Sequence, residues 1–339
     1  MKDPDQISKP KSDRVKQDPG RSSVGELNLF VSSPWRRFRS NRPALISAWI
    51  LAALVLVVVA WPFTLRLAAL SGPGAAKFAQ QYGPARVSDV QFAPPGKTHW
   101  FGTDVHGREL FSRVLYGAQV SLMVGLVGAG VSLVIGVLWG AIAGYLGGRV
   151  DSVMMRFIDI LYSLPSIIFV IVLITTLEAL LKQWLARTAW DGLAESARLI
   201  FLLIGLGAIS WLNMARIVRG QVLSLRQRPF IEASRALGAG PVRILVRHII
   251  PNTLGVIIVY VSLTIPAIVL YESFLSYLGL GIQPPMASLG SLIAEGADQI
   301  NPIRVYWWLV VIPGGLLVTT LLALNFIGDG LRDAWDVRA

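Results

Sequence analysis

The chain has 339 residues, is 54% hydrophobic and only 15% charged, a balance that excludes an ordinary soluble globular protein and points to a membrane protein. It contains no cysteine, which excludes disulfides and thiolate metal sites. The net charge of +11 is concentrated: residues 1–42 hold ten Lys/Arg against five acids, residues 215–251 hold seven Arg against one Glu, and the rest of the chain cancels.

Basic segments beside apolar runs belong in the cytoplasm by the positive-inside rule, so this charge reads as topology rather than as nucleic-acid binding. Residues 1–34 are polar, with Pro, Ser, Lys and Asp, and are expected to be disordered within a cytoplasmic tail 1–42. A transmembrane helix needs about 20 mostly apolar residues. The first such run, "PALISAWILAALVLVVVAWPF" from Pro43, is read as a retained anchor over 43–65. A cleaved signal peptide would have a shorter apolar region and a shorter polar segment before it.

Residues 66–115 form an external loop in this reading, although they hold six Lys/Arg and three acids. Much of that loop lies away from the helix ends, where the charge rule is strongest. Five further spans begin at Val120, Phe157, Leu199, Thr253 and Val305, within a core over 116–328, and residues 329–339 form a cytoplasmic C-terminus. Six spans put both termini on one side, so the two basic segments agree. The expected fold class is an all-α membrane protein with six transmembrane helices.

Within the second span, Gly136, Gly140, Gly144 and Gly148 recur every fourth residue, along one helix face. Small residues allow close helix packing in lipid, either within this chain or against a partner subunit. Pro165, Pro266 and Pro313 fall inside spans three, five and six, where each can kink its helix. Arg156 and Asp159 sit three apart and can pair on one face. Glu272 ends span five and reads as structural.

Catalytic machinery is not evident. His99, His106 and His248 have no ligand-spaced partner, so no metal is expected, and no other cofactor is implied. The stretch "QFAPPGKT" ends like a phosphate-binding loop, but Gln91 stands where its first glycine belongs and the topology puts it outside the cell. An intramembrane enzyme would need paired carboxylates or a Ser/His set within the spans. A self-sufficient secondary transporter would call for midplane ionisable residues and internal repeats. Neither pattern is clear.

The segment "FIEASRALGAGPVRILVRHIIPN", residues 230–252, reads as a helix, a Gly-containing break and a second helix. Glu232-Ala233-Ser234, then Gly238, then His248-Ile249-Ile250-Pro251 resembles the EAA loop of binding-protein-dependent ABC permeases, with Ser234 in place of the usual alanine. The stretches beginning at His99, Ser273 and Leu324 resemble segments of dipeptide and oligopeptide permeases of the C type, in the same order.

The resemblance implies a type I ABC permease fold with a cytoplasmic coupling helix, in the cell inner membrane. It implies a second homologous permease subunit, two cytoplasmic ATP-binding subunits and an external substrate-binding protein as partners. ATP hydrolysis would then belong to the partners. Glu232, Ala233, Ser234, Gly238, His248 and Pro251 are the residues it assigns to ATPase coupling; Gly136, Gly140 and Gly144 are read as helix-packing positions. Di- or oligopeptides are the expected cargo. The alternative is the same importer architecture carrying nickel or another small solute; nickel is disfavoured because no histidine lies in any span and nickel prefers imidazole or thiolate ligands.

Overall fold

The computed structural model describes residues 34–185, 194–284 and 286–335. The basic tail before residue 34 and the last four residues lie outside this set. Among the described residues every regular element is helical, and the only β feature is an isolated antiparallel bridge between Thr103 and Glu109.

A short helix α1 (Pro34–Ser40) turns at Asn41 into α2 (Arg42–Leu70). Asn41 caps α2 by accepting from the Ala44 N–H at 3.2 Å, one of the donors a helix start leaves unpaired. After α3 (Pro73–Gln81) and an irregular stretch comes α4 (Leu110–Leu146), the central helix. Its 37 residues extend roughly 55 Å at about 1.5 Å each. It starts ten residues before the apolar run at Val120, because hydrophobicity marks the lipid-embedded part of a helix and not its end.

Gly147 (φ 68°) and Gly148 (φ 57°) then occupy the left-handed region, and the chain reverses into α5 (Gly148–Tyr162). Gly148 therefore lies beyond α4 and outside the packing stripe. Next come α6 (Ser166–Leu185), α7 (Ala194–Leu225), α8 (Pro229–Ala236) and α9 (Pro241–Ile244). A wide turn over Leu245–Ile249 leads into α10 (Ile250–Tyr277), followed by α11 (Leu289–Ala297) and α12 (Trp308–Trp335).

Four continuous helical stretches are long and apolar enough to cross a membrane: Arg42–Leu70, Leu110–Leu146, Pro241–Tyr277 and Trp308–Trp335. The third expected span is not one straight helix. It breaks near Pro165, and α5 and Ile167–Leu173 of α6 meet at 93°. Proline at 165 cannot donate to the preceding turn, so the ladder ends there. Counting this bent pair as a span gives five among the described residues.

The core surrounds α4. One cluster joins Leu110, Val114 and Ala118 of α4 to Val58 of α2, Leu289 and Leu292 of α11, and Leu309 of α12. Another joins Val120 and Val124 to Leu206 of α7 and Ile268 and Leu275 of α10.

Polar anchors fix the segment that carries α11. Glu272 is fully buried and accepts from Ser121 (3.0 Å) and Ser276 (2.6 Å). Those same serine oxygens accept the backbone N–H groups of Leu289 (3.2 Å) and Ile282 (3.1 Å). Each serine thus relays a backbone donor to the carboxylate, which supplies acceptors for irregular backbone between helices. At the other end of α11, Glu295 receives both terminal nitrogens of the buried Arg113, at 2.6 and 3.0 Å. Asp104 receives Arg113 Nη1 and Arg108 Nε, each at 2.7 Å.

At the opposite end of the bundle, Phe38 and Ala44 pack on Ala334, and Asn41 Nδ2 donates to Asp333 at 3.2 Å. The indole of Trp335 covers Gly255, and one cavity is lined by Pro251, Asn252, Arg332 and Trp335. The start of α2, the end of α12 and the α9–α10 junction therefore share one end of the molecule.

Candidate functional site

That end carries the helix–break–helix. Pro229 opens α8 with its φ already helical and no N–H to leave unpaired. Glu232 lies in the first turn, where a negative side chain suits the positive helix end, and it is exposed. The C-terminus of α8 closes as a Schellman motif: the Ala239 N–H reaches the Ser234 carbonyl at 3.0 Å and the Gly238 N–H reaches that of Arg235 at 2.9 Å. This closure needs a left-handed residue, and Gly238 provides it at φ 84°.

One face of the segment is anchored. Ile231, Ile244 and Ile249 are buried against Ala141 of α4, Met214, Val218 and Val222 of α7, and Ile257 of α10. Arg226 Nη1 donates to the carbonyls of Gly144 and Tyr145 at 3.2 Å each, and the Arg235 guanidinium lies 5.5 Å from the Tyr145 ring centre. Helix α8 is thus tied to the end of α4 as well as to its sequence neighbours.

The other face is open. Leu237 is 88% exposed and Val242 74%, and Phe230 and Val246 are also exposed. Glu232, Ala233, Gly238 and Pro251 lie exposed beside them, while Ser234 and His248 are half-buried. Several large apolar side chains on a charged protruding segment suit contact with another protein. The Ser234 hydroxyl turns inward to the Phe230 carbonyl at 2.8 Å, so it fills an alanine position without adding an outward polar group. His248 lies in the wide turn, and its carbonyl accepts from Asn252 Nδ2 at 2.6 Å. Pro251 follows that turn directly; its missing N–H and its ring fit a ladder that has shifted register there.

Sequence reasoning missed Arg226, Tyr145 and the exposed apolar set. Phe230 and Val242 sit inside the quoted motif, but nothing in the linear pattern separates them from the buried Ile231 and Ile244.

The stripe glycines of α4 face α7. A Cβ on Gly136 would lie 2.6 Å from the Cβ of Met214, one on Gly140 would strike the Ala215 carbonyl, and one on Gly144 would lie 2.8 Å from the Arg219 carbonyl. These three positions therefore pack within the chain. Asp159 pairs with Arg216 of α7 at 2.6 Å rather than with Arg156. Asp151 forms a two-point pair with Arg219, the second contact being Nη2 to Oδ2 at 2.6 Å. Glu272, read as structural at the end of span five, is a fully buried hub. His99 contacts Glu109 at 2.5 Å, and His106 is exposed.

Residues 136–339 match the family described as binding-protein-dependent transport system inner membrane component. Residues 32–95 match the N-terminal TM domain of oligopeptide transport permease C. The oligopeptide transport system permease protein OppC of Escherichia coli is 44% identical over 331 residues, covering 97% of this chain and 98% of that protein. OppC of Haemophilus influenzae is 40% identical over 335 residues, covering 97% and 96%. The dipeptide transport system permease protein DppC of Bacillus subtilis is 38% identical over 308 residues, covering 91% and 85%.

Proposed function

The chain belongs to the family of binding-protein-dependent transport system inner membrane components, and from that premise we propose that it is one permease half of an ATP-driven importer of di- or oligopeptides. The cargo reading is supported by relatives named as oligopeptide and dipeptide permeases that align over nearly their full lengths. An external binding protein delivers the peptide, a second homologous permease completes the route, and two cytoplasmic ATP-binding subunits hydrolyse ATP.

The observation that carries the mechanism is the two-faced segment 229–251. Its buried isoleucines hold it to α4, α7 and α10, while Phe230, Leu237 and Val242 project outward. An ATPase that grips the outer face and moves shifts three helices as a body, since a packed core transmits displacement rather than absorbing it. Glu232 offers the partner a hydrogen-bond or ion-pair acceptor. The chain itself supplies no reaction chemistry; it converts an ATPase movement into a change of access.

The topology we assign has six spans, with the bent α5–α6 unit as the third and α7 as the fourth, and both termini in the cytoplasm. The clustering of the α2 start, the α12 end and the α9–α10 junction at one end supports that arrangement, and the positive charge of 215–251 favours the cytoplasmic side. Residues 71–109 and α11 then face outward, towards the binding protein.

The deciding experiment is uptake of a labelled tripeptide by cells expressing the complete importer with its own binding protein. Accumulation that depends on this chain and is competed by unlabelled peptide is expected. Chain-dependent nickel uptake without peptide uptake would overturn the cargo assignment.

A further inference from the structure

Of the four long apolar stretches, α2 is the least buried against its neighbours. It packs on α12 with the start of one beside the end of the other, where a Cβ on Gly330 would strike that of Ala44. Along this seam runs a groove of about 490 Å³. Its walls include Ile46 and Ile50 of α2 and Leu322 and Phe326 of α12, all exposed, so the groove is open along one side. Arg42 lines its mouth.

Positions 42, 46 and 50 follow one another turn by turn on one face of α2. From Arg42 to Ile50 the helix rises roughly 12 Å, at about 1.5 Å per residue. One leaflet of a hydrocarbon core is about 15 Å deep, half of the roughly 30 Å total. The groove therefore matches an acyl chain that runs into the membrane from a headgroup at Arg42.

The mouth is positive. Arg42 is exposed and, among the described residues, has no hydrogen-bond or ion-pair partner. Arg36 and Arg39 of α1 are exposed at the same end. Helix α1 is held there by the buried Phe38, which packs with Ala44 and Ala334, and Trp35 stacks on Phe38 with ring centres 5.8 Å apart. Trp35 is itself exposed, and a tryptophan among arginines beside a span is the composition of a membrane interface. Two exposed acids of α12 lie at this end, Asp329 and Asp333, the second engaged by Asn41. Arg36, Arg37, Arg39, Arg42 and Arg332 outnumber them.

We propose that the α2–α12 groove binds one anionic phospholipid. The Arg42 guanidinium donates to the phosphate in a two-point contact. One acyl chain lies along Ile46, Ile50, Leu322 and Phe326 and fills the seam that the two helices leave open. The neighbouring arginines favour a headgroup of net negative charge over a zwitterionic one. A free phosphate would leave the apolar groove empty. A helix of another subunit would leave Arg42 without an anion unless it brought an acid to the same depth. The site requires only that α2 and α12 cross the membrane, and it holds whichever solute the importer carries.

The test is native mass spectrometry of the complete importer, titrated with phosphatidylglycerol or with phosphatidylcholine of the same acyl chains. Phosphatidylglycerol should bind at least about tenfold more tightly. Arg42→Gln should weaken it about three- to tenfold, the loss of one charge-assisted contact. Ile46→Trp, which fills the groove, should weaken both lipids. Arg149→Gln, at an exposed arginine of α5, should change neither. The mass of the assembly reports in the same spectrum that each variant has folded. Phosphatidylglycerol with a photoreactive acyl chain should cross-link to peptides of α2 and α12. Equal binding of the two lipids would overturn the site, as would phosphatidylglycerol binding unchanged in both groove variants or weakened as much by Arg149→Gln. Cross-links confined to other helices would assign the groove to a subunit contact and likewise overturn it. Displacement of the lipid by inorganic phosphate would make Arg42 a bare anion site, with the same consequence.

Discussion

A Cβ placed on Gly136 would lie 2.6 Å from the Cβ of Met214, closer than two carbon atoms can approach without moving a helix. The same holds one turn on, where Gly140 faces the Ala215 carbonyl, and again where Gly144 faces that of Arg219. Helix α4 and helix α7 touch backbone to backbone, which in lipid is a main source of helix association.

Replacing Gly140 by Val should therefore separate the two helices and destabilise the protein by several kcal/mol, on the order of an overpacked core site or more. Thermal unfolding of the purified protein in detergent gives the measure. Gly130→Val is the control, because nothing lies within 4 Å of its Cβ position. Equal stability of the two variants would contradict the packing account.

At Gly238 the cost comes from the backbone, since a Cβ there would meet no atom within 4 Å but φ is 84°. Gly238→Val should abolish uptake and ATPase co-purification while the chain stays in the membrane. Gly238→Asn, which tolerates the left-handed region, should retain a substantial part of both. If valine and asparagine behave alike, the turn is not what matters there.

Glu232→Lys reverses the charge on an exposed position without disturbing buried packing. Uptake should fall to background with normal membrane levels and normal stability. Retention of full uptake would remove Glu232 from the coupling surface.

Glu272→Ala should release the segment that leads to α11. It strips two buried serine hydroxyls of their acceptor, at about 1–3 kcal/mol per unpaired group. Limited proteolysis between 278 and 288 reads this directly: cleavage should quicken in the variant. Glu272→Gln, which keeps one oxygen, should be intermediate. Unchanged protection in both would show that Ser121 and Ser276 hold the segment alone.

Arg113 is buried between Asp104 and Glu295. Arg113→Met should cost about 1–3 kcal/mol, because Asp104 and Glu295 lose their buried partner and keep only Arg108 as a side-chain donor. Arg108 also pairs with both acids, so neutrality is restored by Glu295→Gln alone in the same chain, which should recover part of it, as seen in detergent unfolding curves.

By itself the sequence determined the all-helical membrane character and the helix–break–helix at 230–252. Four of its six apolar runs fall in the four continuous helical stretches long enough to cross a membrane. These features are local: a hydrophobic run and a glycine-broken turn act over a few residues each. The break at Pro165 was half legible, since proline announces a kink but not that the helices on either side meet at 93°. What only the tertiary structure decided are relations between distant residues. Periodicity placed Gly136, Gly140 and Gly144 on one face but could not say that α7 covers it. It offered Arg156 to Asp159, whereas the fold supplies Arg216, 57 residues away. It read Glu272 as structural at the end of span five, but could not say that α4 and the segment before α11 close over it. A linear pattern records which face of a helix is apolar, polar or small; which neighbour meets that face is set by how all the helices pack at once, and that information is not local.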